Sequence, residues 1–337
     1  MTCIKKNSDM YVLVVGLGSI GTRHLNNLYD LGIGRLSAFR SRNLPPPAEL
    51  KAEKLEIFMD YDEALASGPD AVVIANPSAF HVPFAKKALE AGCHVYLEKP
   101  VSHTLDGTDE IMELACDKNL SVAVGCQLRF HQNLEAIKQW LDADRIGCLI
   151  SAHIDVGEYL PGWHPWEDYR KSYAARADMG GGVILTLIHE IDYLYWLFGG
   201  IDRVYAEGGH LTPLEINVED TALISMHAKD NMCVHLHMDY WRDPPVRKMN
   251  IIGEKGEITW DYYTGHAVLK QKGKVLEESR IDEKWERNDL FVAVMKDFLQ
   301  SVQEEKLSKI PLTEGVEVLR IALAAKESLL RHEVINI

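Results

Sequence analysis

Through the first 126 residues, short apolar runs alternate with segments whose apolar positions recur three and four apart, and that rhythm predicts strands and helices in turn. Strands are expected at 11–15, 36–39, 57–59, 71–75, 94–97 and 121–126, with helices at 22–31, 62–67, 79–91 and 105–119 between them. Ala71-Val72-Val73-Ile74-Ala75 is apolar throughout, as a strand covered on both faces must be. This alternation implies an α/β domain of Rossmann type, a doubly wound parallel sheet whose ligands gather at the carboxyl ends of the strands. Gly16, Arg40, Asn76, Lys99 and Gln127 all fall at such ends.

From residue 127 the period changes. A helix at 133–141 precedes strands at 149–156, 204–208, 221–227, 233–240, 248–252 and 257–262, joined in places by short turns such as Gly253-Glu254-Lys255-Gly256. One apolar helix is expected over 183–198, opened by Gly180-Gly181-Gly182, and two more at 289–304 and 313–331. The second domain then reads as α+β, with a largely antiparallel sheet covered by helices on one face and open on the other. An open face suits substrate or a second subunit, hence a homodimer or homotetramer through that sheet. The division falls at 126/127, giving a dinucleotide-binding domain (1–126) and a substrate-binding and oligomerisation domain (127–337), with the helix at 313–331 able to pack back on the first.

A chain of 337 residues, 47% of them hydrophobic, can fill two cores. Its net charge of -14, from 36 basic and 50 acidic residues, offers no field to neutralise a phosphate backbone, so nucleic acid is not an expected partner. Residues 1–10 lack the apolar core of a signal peptide, and no later run is long enough to span a bilayer, so a cytoplasmic protein with no membrane partner is expected. Cys3, Cys93, Cys116, Cys126, Cys148 and Cys233 are scattered without a Cys-x-x-Cys pair and read as reduced thiols. His235 and His237 alternate as strand neighbours and no His-Glu-x-x-His occurs, so no metal site is expected.

The chemistry begins where the first strand runs into Gly16-Leu17-Gly18-Ser19-Ile20-Gly21 and a helix follows. Gly16 and Gly18 let backbone turn and approach a pyrophosphate, Gly21 lets helix and strand pack closely, and the helix N-terminus, with Ser19 and Ile20, offers N–H groups to phosphate. At the end of the second strand an NAD-selective fold places Asp or Glu against the ribose 2′-hydroxyl. This chain has Arg40-Ser41-Arg42, two guanidinium forks and a hydroxyl that suit a 2′-phosphate, so NADP is favoured, with NAD as the alternative. Asn76-Pro77 after the fourth strand, His81 in the next helix's first turn, Glu98 and Gln127 complete the expected cofactor contacts. Lys99, in Val95-Tyr96-Leu97-Glu98-Lys99-Pro100, can keep its stem in protein and point its ammonium at a ligand.

Two further segments carry candidate substrate groups. The stretch from Glu158 to Arg170 has no periodicity and is rich in rings and hydrogen-bonding groups, among them Trp163, His164, Asp168, Tyr169 and Arg170. His189, Glu190 and Asp192 are the polar exceptions of the apolar helix, and a polar group in such a helix needs a partner or a task. His189 can exchange a proton near neutrality, as oxidation of an alcohol requires of a general base; a structural histidine is the alternative reading.

Assembled, these residues resemble the glucose-fructose oxidoreductase / inositol dehydrogenase (Gfo/Idh/MocA) family, an NAD(P)-dependent group acting mostly on sugars and cyclitols. The resemblance runs over nearly the whole chain, through the glycine loop followed by Arg23-His24, Asn76-Pro77 with His81, Glu98-Lys99-Pro100, Arg129-Phe130-His131 and the helix carrying His189-Glu190-Ile191-Asp192. It implies that Lys99 meets substrate and nicotinamide, that His189 is the acid/base, and that Arg129, Thr186 and Asp192 belong with the substrate contacts. Members generally carry an aspartate about one turn before the histidine, where this chain has Thr186. Threonine can bond a hydroxyl but holds no charge; Asp192, Glu190 or a carboxylate of the tryptophan-rich loop would have to substitute. The loop is similar to that of members from bacterial surface-glycan pathways, which implies an amino sugar or sugar nucleotide as substrate. Thr186 also leaves open a catalytically impaired, NADP-binding regulator or sugar-binding relative.

Overall fold

A computed structural model of the chain describes residues 6–43, 45, 47–52 and 55–337. Cys3, the start of the N-terminal segment and Pro46 of the turn after Arg42 lie outside the described residues. In chain order the elements of the first part are β1 (Tyr11–Val15), α1 (Ser19–Asp30), β2 (Arg35–Phe39), β3 (Glu56–Phe58), α2 (Tyr61–Ala66), β4 (Ala71–Ile74), α3 (His81–Glu90), β5 (His94–Leu97), α4 (Thr108–Asp117) and β6 (Val122–Val124). There follow α5 (Gln132–Asp142), β7 (Leu149–Gly157), α6 (Val183–Thr186), α7 (His189–Phe198), β8 (Ile201–Gly209), β9 (Thr221–Ala228) and β10 (Cys233–Asp239). The chain then runs through β11 (Val246–Gly253), β12 (Glu257–Asp261), β13 (His266–Gln271), β14 (Lys274–Arg280), α8 (Arg287–Gln303), α9 (Leu312–Arg331) and β15 (Ile335–Asn336).

These elements form two compact units, residues 1–127 with 287–316 and residues 128–286 with 317–337. The sequence reading places one division at 126/127; here 287–316 group with the first unit. The apolar stripe of α8 explains why, since Leu290, Phe291, Val294, Met295 and Phe298 are buried and α8 packs on α1. The stretch after α8 also pairs beside β6, where the Val124 N–H donates to the Ile310 carbonyl at 2.9 Å.

In the first unit six strands pair in parallel in the order β3-β2-β1-β4-β5-β6. The order reverses between β1 and β4, the switch point at which such sheets receive ligands. Every residue of β1 and β4 is buried, as their unbroken apolar composition requires of strands covered on both faces. The start of α1 lies so close to the turn after β1 that a Cβ on Gly21 would stand 1.8 Å from the Gly16 carbonyl oxygen.

In the second unit nine strands form one sheet, ordered β14-β13-β12-β11-β7-β10-β9-β8-β15. It is antiparallel except for β7 with β10. Ile154, Val156, Leu236, Met238, Met249 and Ile251 fill its inner face, against which α6 packs at β9 and β10 and α5 at β13 and β14. The opposite face is polar, with His153 opposite both His235 and Asn250, and Asp155 opposite both His237 and Lys248.

Two expectations need correction. The helix expected over 183–198 is divided, because Leu187 leaves helical geometry (φ -95, ψ 33), and His189 becomes the first residue of α7. The hairpin β13–β14 is missing from the sequence reading because its outer strand, Lys274–Arg280, is largely exposed and charged and carries no apolar alternation; Lys272 and Gly273 make the turn with positive φ. Among the described residues no helix is long and apolar enough to cross a membrane.

The Gly21 approach makes one test. Gly21→Ala forces a methyl against backbone and is expected to lower stability by about 1–3 kcal/mol, read as a fall in urea midpoint without a change in slope.

Candidate active site

Glycine, amide and amine groups meet at the carboxyl edge of the six-stranded sheet. Gly16 turns with φ +93 after β1, and Gly18 sits just before α1, which no side chain caps. A Cβ on Gly18 would meet nothing within 4 Å, so the protein itself does not require glycine there. An uncapped helix of twelve residues with open space at its N-terminus fits a phosphate group accepting from the first-turn N–H groups of Ser19, Ile20 and Gly21. After β4 and β6, Asn76 Oδ1 and Gln127 Oε1 are buried oxygens with no hydrogen-bond partner among the described residues, which suits them to donors of a ligand. Arg40 follows β2, its Nη1 donating to the Pro45 carbonyl at 3.1 Å while Nε is buried and finds no acceptor among the described residues; Ser41 and Arg42 are exposed. These residues fit a dinucleotide.

Two expected cofactor contacts are placed differently. His81 is 1% exposed, and its ring nitrogens lie 2.8 Å from the carbonyl oxygens of Pro100 and Asn76, so whichever nitrogen carries the proton donates to a backbone carbonyl. Burial pushes its imidazole below the usual range, against the opposing pull of those carbonyls and of Glu98. Glu98 also turns inward, where Oε1 accepts from His24 Nε2 at 2.6 Å and Oε2 from the Lys99 backbone N–H at 3.3 Å. Burial alone would raise its carboxyl; the hydrogen bond and charge of His24, with the charges of Lys99 and His81, outweigh that and hold it below the ordinary carboxylate range. Pro77 follows Asn76 as the residue before a single 3-10 turn that leads into α3. Lys99, half-buried, thus stands between two anchored residues.

The second unit carries the other candidates. His189 begins α7, 7% exposed, and Thr186 ends α6, 2% exposed. Burial pushes the phenol of Tyr240 well up, while the Thr186 hydroxyl beside it pulls the other way. The Trp163 ring meets Tyr240 edge-on at 5.6 Å, and Trp163 Nε1 is buried without an acceptor. Sequence reasoning missed Tyr240 because it sits in the loop after an ordinary alternating strand. His164 packs on Trp166, which is 77% exposed. Asp168 and Arg170 pair at 2.7 Å, Arg170 reaches Glu215 at 2.6 Å, and the Tyr169 hydroxyl accepts from the Glu215 N–H at 3.2 Å, so this end of the loop is tied to residue 215.

Arg129 and Asp192, expected among the substrate contacts, are instead a buried pair. Both side chains are 0% exposed; Asp192 Oδ1 accepts from Arg129 Nη2 at 2.7 Å, and Nε lies 3.0 Å from Oδ2. Glu190 is bound likewise, accepting from Arg247 Nε at 2.7 Å, with Glu158 3.3 Å from the same guanidinium. Burial would weaken Arg247 as a cation, but Glu190 and Glu158 outweigh that and hold it protonated above its usual range. The reason is electrostatic: a carboxylate on the inner side of an apolar helix has no water, so an arginine must satisfy it. Neither acid therefore stands in for the aspartate that Thr186 replaces. His131 is ringed by Trp260, Tyr262 and Trp285, and burial with the Arg247 charge pushes it down to about 4.

Comparison with known proteins agrees with the fold. Residues 10–126 match the model of the GFO/IDH/MocA oxidoreductase family with an NAD-binding Rossmann fold, and residues 134–259 match the GFO/IDH/MocA C-terminal domain. An uncharacterised oxidoreductase of Synechocystis is 27% identical over 92% of this chain and 91% of its own length. Myo-inositol 2-dehydrogenase of Thermotoga maritima is 26% identical over 95% and 96%. The WlbA dehydrogenase of Bordetella pertussis, solved with NADH and UDP-GlcNAcA, superposes with a TM-score of 0.82 over 97% of this chain and 98% of that one at 20% identity, a likeness of fold.

The buried groups yield two predictions. Arg129→Met leaves Asp192 charged in the interior and is expected to cost about 3–5 kcal/mol in urea unfolding. Glu98, with its folded pKa depressed, contributes stability that is present above its unfolded pKa and lost as pH falls through the folded one. The stability gap between wild type and Glu98→Gln should therefore be full near neutrality and close below the ordinary carboxylate range; a pH-independent gap would contradict the assignment.

Proposed function

The chain belongs to the GFO/IDH/MocA oxidoreductase family, and from that premise we propose that it is an NADP-preferring dehydrogenase or reductase of a sugar, amino sugar or sugar nucleotide. The observation that carries this reading is the gathering of an uncapped helix N-terminus, Asn76, Lys99 and Gln127 at one edge of a parallel sheet, at its switch point. The nicotinamide, when bound, supplies the hydride acceptor or donor. The chain's own residues do the rest. Ser19, Ile20 and Gly21 hold the phosphates by backbone N–H groups, and Arg40, Ser41 and Arg42 hold the 2′-phosphate. Lys99 polarises the reacting oxygen through its ammonium, and His189 takes or returns the proton of the substrate hydroxyl. Thr186, Tyr240, Trp163 and His164 supply hydrogen-bonding groups and ring faces for a polyol.

Support for a sugar-like substrate comes from the relatives: one acts on myo-inositol by name, and a fold neighbour was solved with a UDP-linked sugar. A role in surface-glycan synthesis follows from the same reading, as does self-association through the polar outer face of the nine-stranded sheet. A thermal-shift screen with NAD, NADP, cyclitols and sugar nucleotides tests it, because a ligand that binds only the folded state raises its melting temperature. NADP should give the larger shift of the two cofactors. With the substrate so found, Lys99→Ala should keep cofactor affinity within a few-fold and cut turnover by about a hundredfold or more. Unchanged turnover removes Lys99 from the reaction. Binding of NADP and sugar with no change in nicotinamide absorbance would favour the impaired regulator that Thr186 leaves open.

A further inference from the structure

His24 lies on the helix that receives the phosphates, yet it does not face them. It is fully buried, with its ring between Tyr96 at 5.0 Å and Phe291 at 5.9 Å. Nε2 donates to Glu98 Oε1 at 2.6 Å, and the other oxygen of the same carboxylate accepts from the Lys99 backbone N–H at 3.3 Å. Room for this carboxylate is kept by Gly125, where a Cβ would stand 3.0 Å from Oε1 and 2.8 Å from the Tyr96 hydroxyl. One carboxylate therefore joins the middle of α1 to the amide of Lys99. On the far side of the lysine, His81 holds the Pro100 carbonyl at 2.8 Å.

We propose that His24 is a positioning residue for Lys99, acting through Glu98 to fix the lysine against the helix that binds the cofactor's phosphates. A buried carboxylate in this place needs donors on both oxygens. Removing the one on α1 releases Glu98 to other partners and with it the grip on the Lys99 amide. A misplacement of about 1 Å at a reacting group is enough to lose about a hundredfold in rate, so a residue remote from the chemistry can govern it. The inference rests on the reading that Lys99 lies at the nicotinamide.

The test reads Lys99 directly. Whole protein is methylated reductively with formaldehyde and dimethylamine-borane as the hydride donor, with and without NADPH, and the rate at Lys99 is followed by mass spectrometry of its peptide; NADPH affinity is measured alongside by fluorescence. At about ten times its Kd, NADPH should slow the wild-type reaction about tenfold, because only about one molecule in ten is then free. His24→Phe, which keeps a ring between Tyr96 and Phe291, should still bind NADPH but lose most of that protection. His24→Gln, whose amide retains a donor, should restore it. Glu98→Gln serves if the phenylalanine variant does not fold, since an amide has one acceptor oxygen and must drop one of the two contacts; it should lose protection likewise. Full protection in a folded His24→Phe or Glu98→Gln protein would overturn the proposal and leave the role of Lys99 standing. If NADPH binds wild type without slowing Lys99, both readings fall.

Discussion

A carboxylate without water must be met by donors, and at Glu98 that requirement organises the first unit. Its partners come from α1, from Tyr96 on β5, whose hydroxyl donates to Oε1 at 3.5 Å, and from the chain just past β5, so satisfying one buried group brings the helix and the lysine into the same frame. The glycines serve the same end. Gly21 lets α1 approach the turn after β1, and Gly125 leaves the volume the carboxylate fills. The surroundings hold Glu98 ionised against the penalty of burial. Its charge is then a feature of the edge where a dinucleotide would lie.

The second unit solves a related problem with arginine. Helix α7 carries two acids in its first turn on a face with no solvent, and each is matched by one guanidinium, Asp192 by Arg129 and Glu190 by Arg247. Buried pairs of this kind contribute little net stability over apolar substitutes, but losing one member is costly, so they fix conformation more than they add to it. Beside Thr186 stands the Tyr240 phenol, with the Trp163 ring edge-on to it and the Glu219 and Glu158 carboxylates near enough to push the phenol further up. A site furnished this way recognises hydroxyls by hydrogen bonding and leaves proton transfer to His189 in the proposed reaction.

Most of the first unit was legible from period alone. Strands such as Tyr11–Val15 and His94–Leu97 stand where their apolar runs stand, because a strand covered on both faces is mostly apolar. The edge residues followed from the same arithmetic. Side-chain direction did not: Glu98 and His81 occupy the expected positions yet turn inward, since nothing in the order of residues says which neighbour will satisfy a carboxylate or an imidazole. The pairing of Arg129 with Asp192 is hidden for the same reason, the two being 63 positions apart in the chain and bonded in the interior. The break at Leu187 was hidden because apolar residues continue across it, and β14 because an exposed edge strand has little apolar pattern to show.

The central claim is that the first unit's sheet edge binds a dinucleotide and presents it to Lys99. A crystal structure of the wild-type protein with NADPH tests it most directly. The diphosphate is expected on the N–H groups of Ser19, Ile20 and Gly21, the 2′-phosphate at Arg40 and Arg42, and the Lys99 ammonium at the nicotinamide ring. A diphosphate bound away from α1, or a nicotinamide out of reach of Lys99, would contradict it.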